Sequence, residues 1–372
     1  MEALILTCGT GGGHNSAANA IFEEMNKRGI NAVKINPYTL KSERLANFID
    51  NSYISTVRSA PKVFGTVYNI ADSYRKLPFR SPVYFANKII NSVMYEYLSK
   101  RHFDVIVSTH FCGAEILANM NNHGIDVPKN IFVATDYVCT PFTEETKCNA
   151  YVIPTADLIN EFSRRGIPEE KIYPLGIPVH SSFSKIETQN EVKLRLGLDI
   201  NKKYILITGG SMGGGKIGNA IEKLRNYFAG KDNIELIIVC GSNQSLYNTL
   251  IESHHSDITA IGYTKDMASY IKASNLFITK PGGLSSTEAA VCGVPVLHTA
   301  PIPGCETCNA KYFSGRGMSI SGDITTEILH KVDKLLNDEM QCKKMIDLQK
   351  QFINPHAASD ICDLAEKFAS HT

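Results

Sequence analysis

Two glycine-rich turns, each leading from a strand into a helix, carry the most legible chemistry in this chain. They read Gly9-Thr10-Gly11-Gly12-Gly13-His14 and Gly209-Gly210-Ser211-Met212-Gly213-Gly214-Gly215. Such a turn leaves backbone N–H groups unpaired at a helix N-terminus, where aligned peptide dipoles favour an anion. Each could therefore hold a phosphate or a developing negative charge. Only the first ends in a histidine, and an imidazole with a reference pKa of about 6.5 suits proton removal near neutral pH. His14 is the candidate general base; the alternative is a ring that only packs or caps a helix start. Asp136, at the end of a strand, could orient His14, bind an acceptor, or simply form a turn.

A third turn adds to the set. Thr279-Lys280-Pro281-Gly282-Gly283-Leu284-Ser285-Ser286-Thr287-Glu288 follows an apolar run and places Glu288 about one turn into a helix. A carboxylate there can accept two hydrogen bonds from a ribose diol, or it can act as a favourable first-turn charge on the helix dipole. Beyond it, Glu306 and Asn309 in Gly304-Cys305-Glu306-Thr307-Cys308-Asn309 fall three apart on one helical face. They could hold the hydroxyls of a hexose, or cap and solvate that helix.

Two familiar nucleotide motifs are excluded. A nicotinamide-binding turn wants a third glycine where His14 stands, and an acidic residue where the second strand ends at Asn36-Pro37. The stretch from Gly210 to Lys216 resembles a nucleotide-hydrolysing P-loop, but Ile217 follows the lysine and brings no hydroxyl for magnesium.

Composition bounds the rest. The 372 residues suffice for about two domains. A net charge of +1 argues against nucleic-acid binding through a global positive field. No apolar run approaches the roughly 20 residues of a bilayer span, and no basic leader opens the chain, so a cytoplasmic protein is expected. The ten cysteines show no framework spacing and read as reduced thiols. One Cys305-Cys308 pair without partners at ligand spacing makes no zinc site. No pair of aspartates with one residue between them offers itself to a divalent ion, so neither cofactor nor metal is expected.

Strands and helices alternate, the pattern of a parallel sheet covered on both faces. Strands are expected at Ala3–Cys8, Ala32–Asn36, Val105–Ser108, Ile131–Thr135 and Tyr151–Ile153 in the first half. Tyr204–Thr208, Leu236–Val239, Ile258–Ile261, Leu276–Ile278 and Val296–His298 follow in the second. Tyr173–Val179, with two prolines and a glycine, reads as the linker. The fold class is α/β, with two Rossmann-like doubly wound domains facing a cleft. The boundaries are 1–175 for an acceptor-binding, membrane-contacting domain and 181–355 for a nucleotide-sugar domain, with a helix in 356–372 that could return to the first.

The runs GTGGGHNSAA, GGSMGGGK, KPGGLSSTEAA and PIPGCETCN, in this order over nearly the whole chain, resemble the monogalactosyldiacylglycerol synthase and processive diacylglycerol glucosyltransferase family. That resemblance implies a two-domain, inverting enzyme of GT-B type moving a hexose from a UDP-sugar to diacylglycerol or a glycosyldiacylglycerol. It implies His14 as base and Gly11, Gly12 and Gly13 as an acceptor or phosphate loop. Gly209 through Gly215 become the diphosphate loop, Lys280, Gly282, Gly283 and Ser285 further donor contacts, Glu288 the ribose carboxylate, and Glu306 with Asn309 the sugar contacts. Two departures are visible. Thr135-Asp136 is followed by Thr140-Pro141-Phe142 with no tryptophan anywhere, and Cys305 stands where a glutamine often precedes the glutamate. Two other readings remain: another acceptor, such as a lipid-linked peptidoglycan precursor, or a non-catalytic UDP-sugar sensor.

Membrane contact is expected in the insertion between the second and third strands. From Arg58 to Lys88 it holds six basic residues against the single acid Asp72. Phe64, Tyr68, Arg75, Lys76, Phe79 and Arg80 are the candidate contacts with an anionic bilayer, and Val63, Val67, Ala71 and Tyr74 recur at helical spacing. The alternative is an ordinary core stripe with a solvated cationic face. The chain is then expected on the inner face of the cell membrane as a peripheral protein.

Overall fold

The structure, a computed structural model, describes residues 1–77, 79–209 and 217–370. Gly210, Ser211, Met212 and Gly213, with the rest of the second glycine turn to Lys216, lie outside the described residues. The chain forms two compact units. One contains Met1–His180, Pro303–Cys305 and the chain from Asn354; the other contains Ser181–Ile302 and Glu306–Ile353.

In the first unit, apolar runs such as Leu4-Ile5-Leu6 and Val105-Ile106-Val107 have no polar face to offer water, so their strands are covered on both sides. The strands are β1 (Glu2–Leu6), β2 (Asn31–Ile35), β3 (Val105–Ser108), β4 (Lys129–Val133), β5 (Ala150–Val152) and β6 (Ile172–Tyr173). They pair in parallel in the order β2-β1-β3-β4-β5-β6. Alternation along each strand feeds two cores. Ala3, Ile5, Val105 and Val107 pack with Ile21 and Met25 of helix α1 (Gly12–Lys27) and with Ile361 and Leu364 of the C-terminal helix Ala357–Ala369. Leu4, Leu6 and Ile106 pack on the other face. The partners there come from α2 (Glu43–Ser59), α5 (Asn91–Lys100) and α6 (Phe111–Asn122). Between α2 and α5 the insertion adds α3 (Pro61–Tyr74) and α4 (Pro82–Asn87).

The second unit repeats the plan with a different strand order. Its strands are β7 (Lys203–Thr208), β8 (Ile234–Val239), β9 (Ile258–Ile261), β10 (Leu276–Thr279), β11 (Val296–His298) and β12 (Ile320–Ser321). The parallel order is β12-β11-β10-β7-β8-β9. The order of the first sheet reverses between β1 and β3, and that of the second between β7 and β10. In doubly wound sheets ligands sit beyond the carboxyl ends of the strands at such reversals. The first and second glycine turns follow β1 and β7, and the Lys280 turn follows β10.

Two short strands depart from the expectation. β6 lies at the start of Tyr173–Val179, read from its prolines as linker, because Ile172 and Tyr173 still pair along Tyr151 and Val152. β12 pairs only through Leu297–Ile320 and His298–Ser321, too short a segment to show a period.

Candidate functional site

In the first unit, residues following β1, β3 and β4 converge on His14. Gly11 ends the turn with φ 100°, a backbone state reserved for glycine, and so lets α1 start immediately after it. Nothing lies within 4 Å of where a Cβ on Gly11 would stand, so this side of the turn is open. Gly12 and Gly13 form the first turn of α1 and are half-buried.

His14 is oriented by backbone. Its Nδ1 lies 2.8 Å from the carbonyl oxygen of Thr109, just after β3. A carbonyl can only accept, so Nδ1 carries the proton and Nε2 of the neutral ring keeps its lone pair. Thr135 Oγ1, just after β4, stands 3.1 Å from the same Nδ1. The Thr109 hydroxyl donates back to the His14 carbonyl at 3.0 Å, tying α1 to the end of β3. Burial pushes the imidazole pKa below its ordinary value, while the half-buried Asp136 carboxylate and the Thr109 carbonyl act in the opposite direction. The result is a neutral ring with a fixed tautomer, the state a general base needs.

His110, just after β3, joins this site without a signal in the sequence. Its ring meets His14 edge-on at 4.5 Å between centroids. Its Nδ1 accepts from the backbone N–H of Cys112 at 3.2 Å, capping α6, which leaves Nε2 to donate to Thr10 Oγ1 at 3.1 Å. His110 thus joins a helix start to the glycine turn, and burial drives its pKa well down, so it adds no charge beside His14. A lone histidine after a strand carries no periodic signal, and only the fold brings it to residue 14.

In the second unit, Gly209 closes β7, and a cavity of about 150 Å³ opens beside it. Thr208, Lys280, Thr299 and Asp323 line that cavity. The Lys280 turn is held by Gly282 N–H donating to the Lys280 carbonyl at 2.8 Å. Nothing lies within 4 Å of a Cβ built on Gly282, while Gly283 is buried and begins the helix Gly283–Cys292. Ser285 and Glu288 are half-buried on that helix. Burial alone raises the Glu288 pKa to about 7. A carboxylate so desolvated gains from hydroxyl donors brought by a ligand.

Asn309 is fully buried, and its Nδ2 donates to the Pro281 carbonyl at 3.0 Å, so that atom holds the Lys280 turn. Glu306 Oε2 accepts from the Ile302 N–H at 2.6 Å. Beneath the same helix His298, completely buried, bridges Ser286 and Ser319 through its two nitrogens at 2.9 and 3.2 Å. Burial lowers its pKa to about 3, which marks a core histidine.

The insertion corrects part of the membrane expectation. The Arg75 side chain is only 3% exposed, pairing with Glu144 and Asp72 and donating to the Cys139 carbonyl at 3.1 Å. A buried guanidinium needs such partners, so Arg75 braces the insertion and does not face a bilayer. Arg80 is half-buried, lies over the Tyr84 ring at 4.9 Å and donates to the Glu145 carbonyl at 3.4 Å. Phe64 turns to Tyr53 of α2, 5.5 Å between centroids, and Tyr68 is half-buried. The outward apolar face of α3 is Val63, Val67 and Ile70, 54, 56 and 61% exposed, while Ala71 and Tyr74 are half-buried. Lys76 and Phe79 are exposed. The helical period was legible, but its phase depended on partners from α2 and the Glu144 segment. Among the described residues no helix is long and apolar enough to cross a membrane, and no cluster of three or more His, Cys, Asp or Glu side chains could hold a metal.

Comparison with known proteins agrees with this architecture. Residues 14–179 match the model of monogalactosyldiacylglycerol (MGDG) synthase, and residues 204–361 match the glycosyltransferase family 28 C-terminal domain. A processive diacylglycerol beta-glucosyltransferase of Bacillus pumilus is 26% identical over 367 residues, 97% of this chain and 94% of the relative. The crystal structure of Acinetobacter baumannii MurG superposes with a TM-score of 0.62 at 16% identity, covering 99% of this chain and all of that one. A UDP-GlcNAc 2-epimerase from Neisseria meningitidis, bound to UDP-GlcNAc, gives 0.65 at 16% identity, covering 99% and 100%. The two Rossmann-like units are thus of the GT-B type. With the two family models in order along one chain, the first part is similar to monogalactosyldiacylglycerol synthases, the second to the glycosyltransferase family 28 C-terminal domain, and the protein is a glycosyltransferase.

Proposed function

We propose that the chain transfers a hexose from a UDP-sugar to the hydroxyl of diacylglycerol or a glycosyldiacylglycerol, with inversion at the anomeric carbon. The observation that carries this reading is the His14 imidazole, neutral through burial and held by the Thr109 carbonyl with Nε2 free of the proton. A glycerol hydroxyl is too weak an acid to ionise alone near pH 7, so its proton leaves as its oxygen attacks. His14 Nε2 takes that proton, the new C–O bond forms at the anomeric carbon, and the bond to the UDP oxygen breaks, UDP leaving with the electron pair. Asp136 favours the imidazolium that results.

On the donor side, Glu288 accepts the two ribose hydroxyls, and Lys280, Gly282, Gly283 and Ser285 form the wall of the nucleotide site. Gly209 opens the diphosphate loop, whose further residues Gly210, Ser211, Met212 and Gly213 are assigned to the leaving phosphates by the family resemblance alone. Glu306 and Asn309 shape the hexose pocket through the turns they hold. This mechanism assigns no role to a cofactor or metal.

The acceptor reading is supported by the relative's name and by the exposed Val63, Val67 and Ile70 face with Phe79 and the cations Lys62 and Lys76. An apolar helix face flanked by cations rests on an anionic bilayer. In this reading the protein works at the inner face of the cell membrane as a peripheral enzyme. The test is a matrix of UDP-glucose and UDP-galactose against diacylglycerol and glycosyldiacylglycerol, with UDP release and lipid product both measured. Binding of a UDP-sugar without UDP release on either lipid overturns the reading in favour of a sensor.

A further inference from the structure

One carboxylate beside the first glycine turn has no part in the mechanism above. Asp50, on α2, places Oδ2 against Gly9, so close that a Cβ built on that residue would stand 2.2 Å from the oxygen. Asn36, which follows β2, accepts from the Tyr38 N–H through Oδ1 at 3.1 Å, and so directs its Nδ2 to Asp50 Oδ2 at 3.3 Å. The Gly9 backbone N–H favours the charged form of the same carboxylate, against the burial that raises its pKa. Among the described residues Oδ1 is buried without a hydrogen-bond partner, and no cation pairs with the group. The turn therefore already carries an anion of the protein's own.

We propose that Asp50 is a specificity-determining residue, making the first glycine turn selective for an uncharged lipid hydroxyl over a phosphorylated lipid headgroup. The proposal rests on the acceptor reading above. The start of α1 offers roughly half a unit of positive charge. A full negative charge at Asp50 outweighs it, so a phosphate entering the turn meets like charge. Gly9 is required as well, because any side chain there would displace the carboxylate. A neutral hydroxyl incurs no such repulsion. Discrimination of this kind works through the repulsive element, not through added attraction.

The test compares two soluble lipids that differ only at the reacting position, dioctanoylglycerol and dioctanoylphosphatidic acid. Binding is measured by calorimetry on the full chain at pH 8, with saturating UDP present to block the nucleotide site against phosphate. Wild type is expected to hold the glycerol lipid at least about tenfold tighter than the phosphate, and Asp50→Asn to narrow that ratio by about tenfold. Equal or tighter binding of the phosphate by wild type, or an unchanged ratio in Asp50→Asn with an intact melting transition, overturns the proposal. Should the variant fail to fold, the wild-type ratio decides alone. Hexose transfer to dioctanoylglycerol is assayed in parallel. Transfer without discrimination refutes only the role of Asp50, and discrimination without transfer refutes only the proposed reaction.

Discussion

The carbonyl oxygen of Thr109 accepts the Nδ1 proton of His14 at 2.8 Å, and this one contact decides which nitrogen of the ring can act as a base. The contact comes from backbone, so no side-chain substitution at residue 109 removes it. The tautomer is set by the strand end on which the ring rests.

His14→Ala and His14→Gln are expected to lower kcat by about 10²–10⁴, the usual contribution of a positioned general base, with donor KM changed little. Steady-state kinetics with varied UDP-sugar checks this. A kcat within threefold of wild type removes His14 from the chemistry.

The pH dependence should separate the two halves of the reaction. The His14 pKa lies below 6.5, so the ring stays a neutral base, and kcat holds, as pH falls from 8 towards that value. Glu288 gains its proton at about pH 7 and then accepts fewer ribose hydrogen bonds, so donor KM climbs below pH 7 while kcat still holds. Profiles of kcat and KM measured separately between pH 5.5 and 8.5 show this order or refute it.

Glu288→Gln should trade binding for stability. A carboxyl whose folded pKa is raised stabilises the fold only when protonated, and that contribution is lost as pH rises through the range between its unfolded and folded values. The variant is therefore expected to melt above wild type at pH 8, to converge with it as pH falls towards 4, and to bind UDP-sugar at least about tenfold more weakly. Melting curves of the ligand-free protein and calorimetric titration with UDP-sugar check the two effects.

Val63→Ser, Val67→Ser and Ile70→Ser combined are expected to reduce co-sedimentation with anionic vesicles severalfold, with transfer to a short-chain soluble acceptor unchanged. Arg75→Ala should instead lower the melting temperature, because it leaves the half-buried Glu144 without its cation and empties a buried site. Unchanged sedimentation of the triple variant contradicts the membrane assignment of α3.

Much of the fold was legible because parallel strands buried on both faces read as short apolar runs, and Ala3–Cys8 and Tyr204–Thr208 each led into a glycine turn. His14 was legible because the glycines mark the turn before it, and Glu288 because a glycine turn fixes where its helix begins. His110 and Asp50 were not, since each reaches the first turn from a separate element. Arg75 misled for a related reason. In sequence it sits in a cationic, aromatic run, and only the Glu144 segment, about seventy residues on, shows that its charge is spent internally.

The most direct test is the anomeric configuration of the lipid product, read by NMR after reaction of diacylglycerol with an α-linked UDP-hexose. Attack by a hydroxyl activated at His14 in a single displacement gives a β-linked glycolipid and one UDP per hexose transferred, and His14→Ala forms it at no more than about one hundredth of the wild-type rate. An α-linked product, or β-linked product formed at full rate by His14→Ala, contradicts the mechanism.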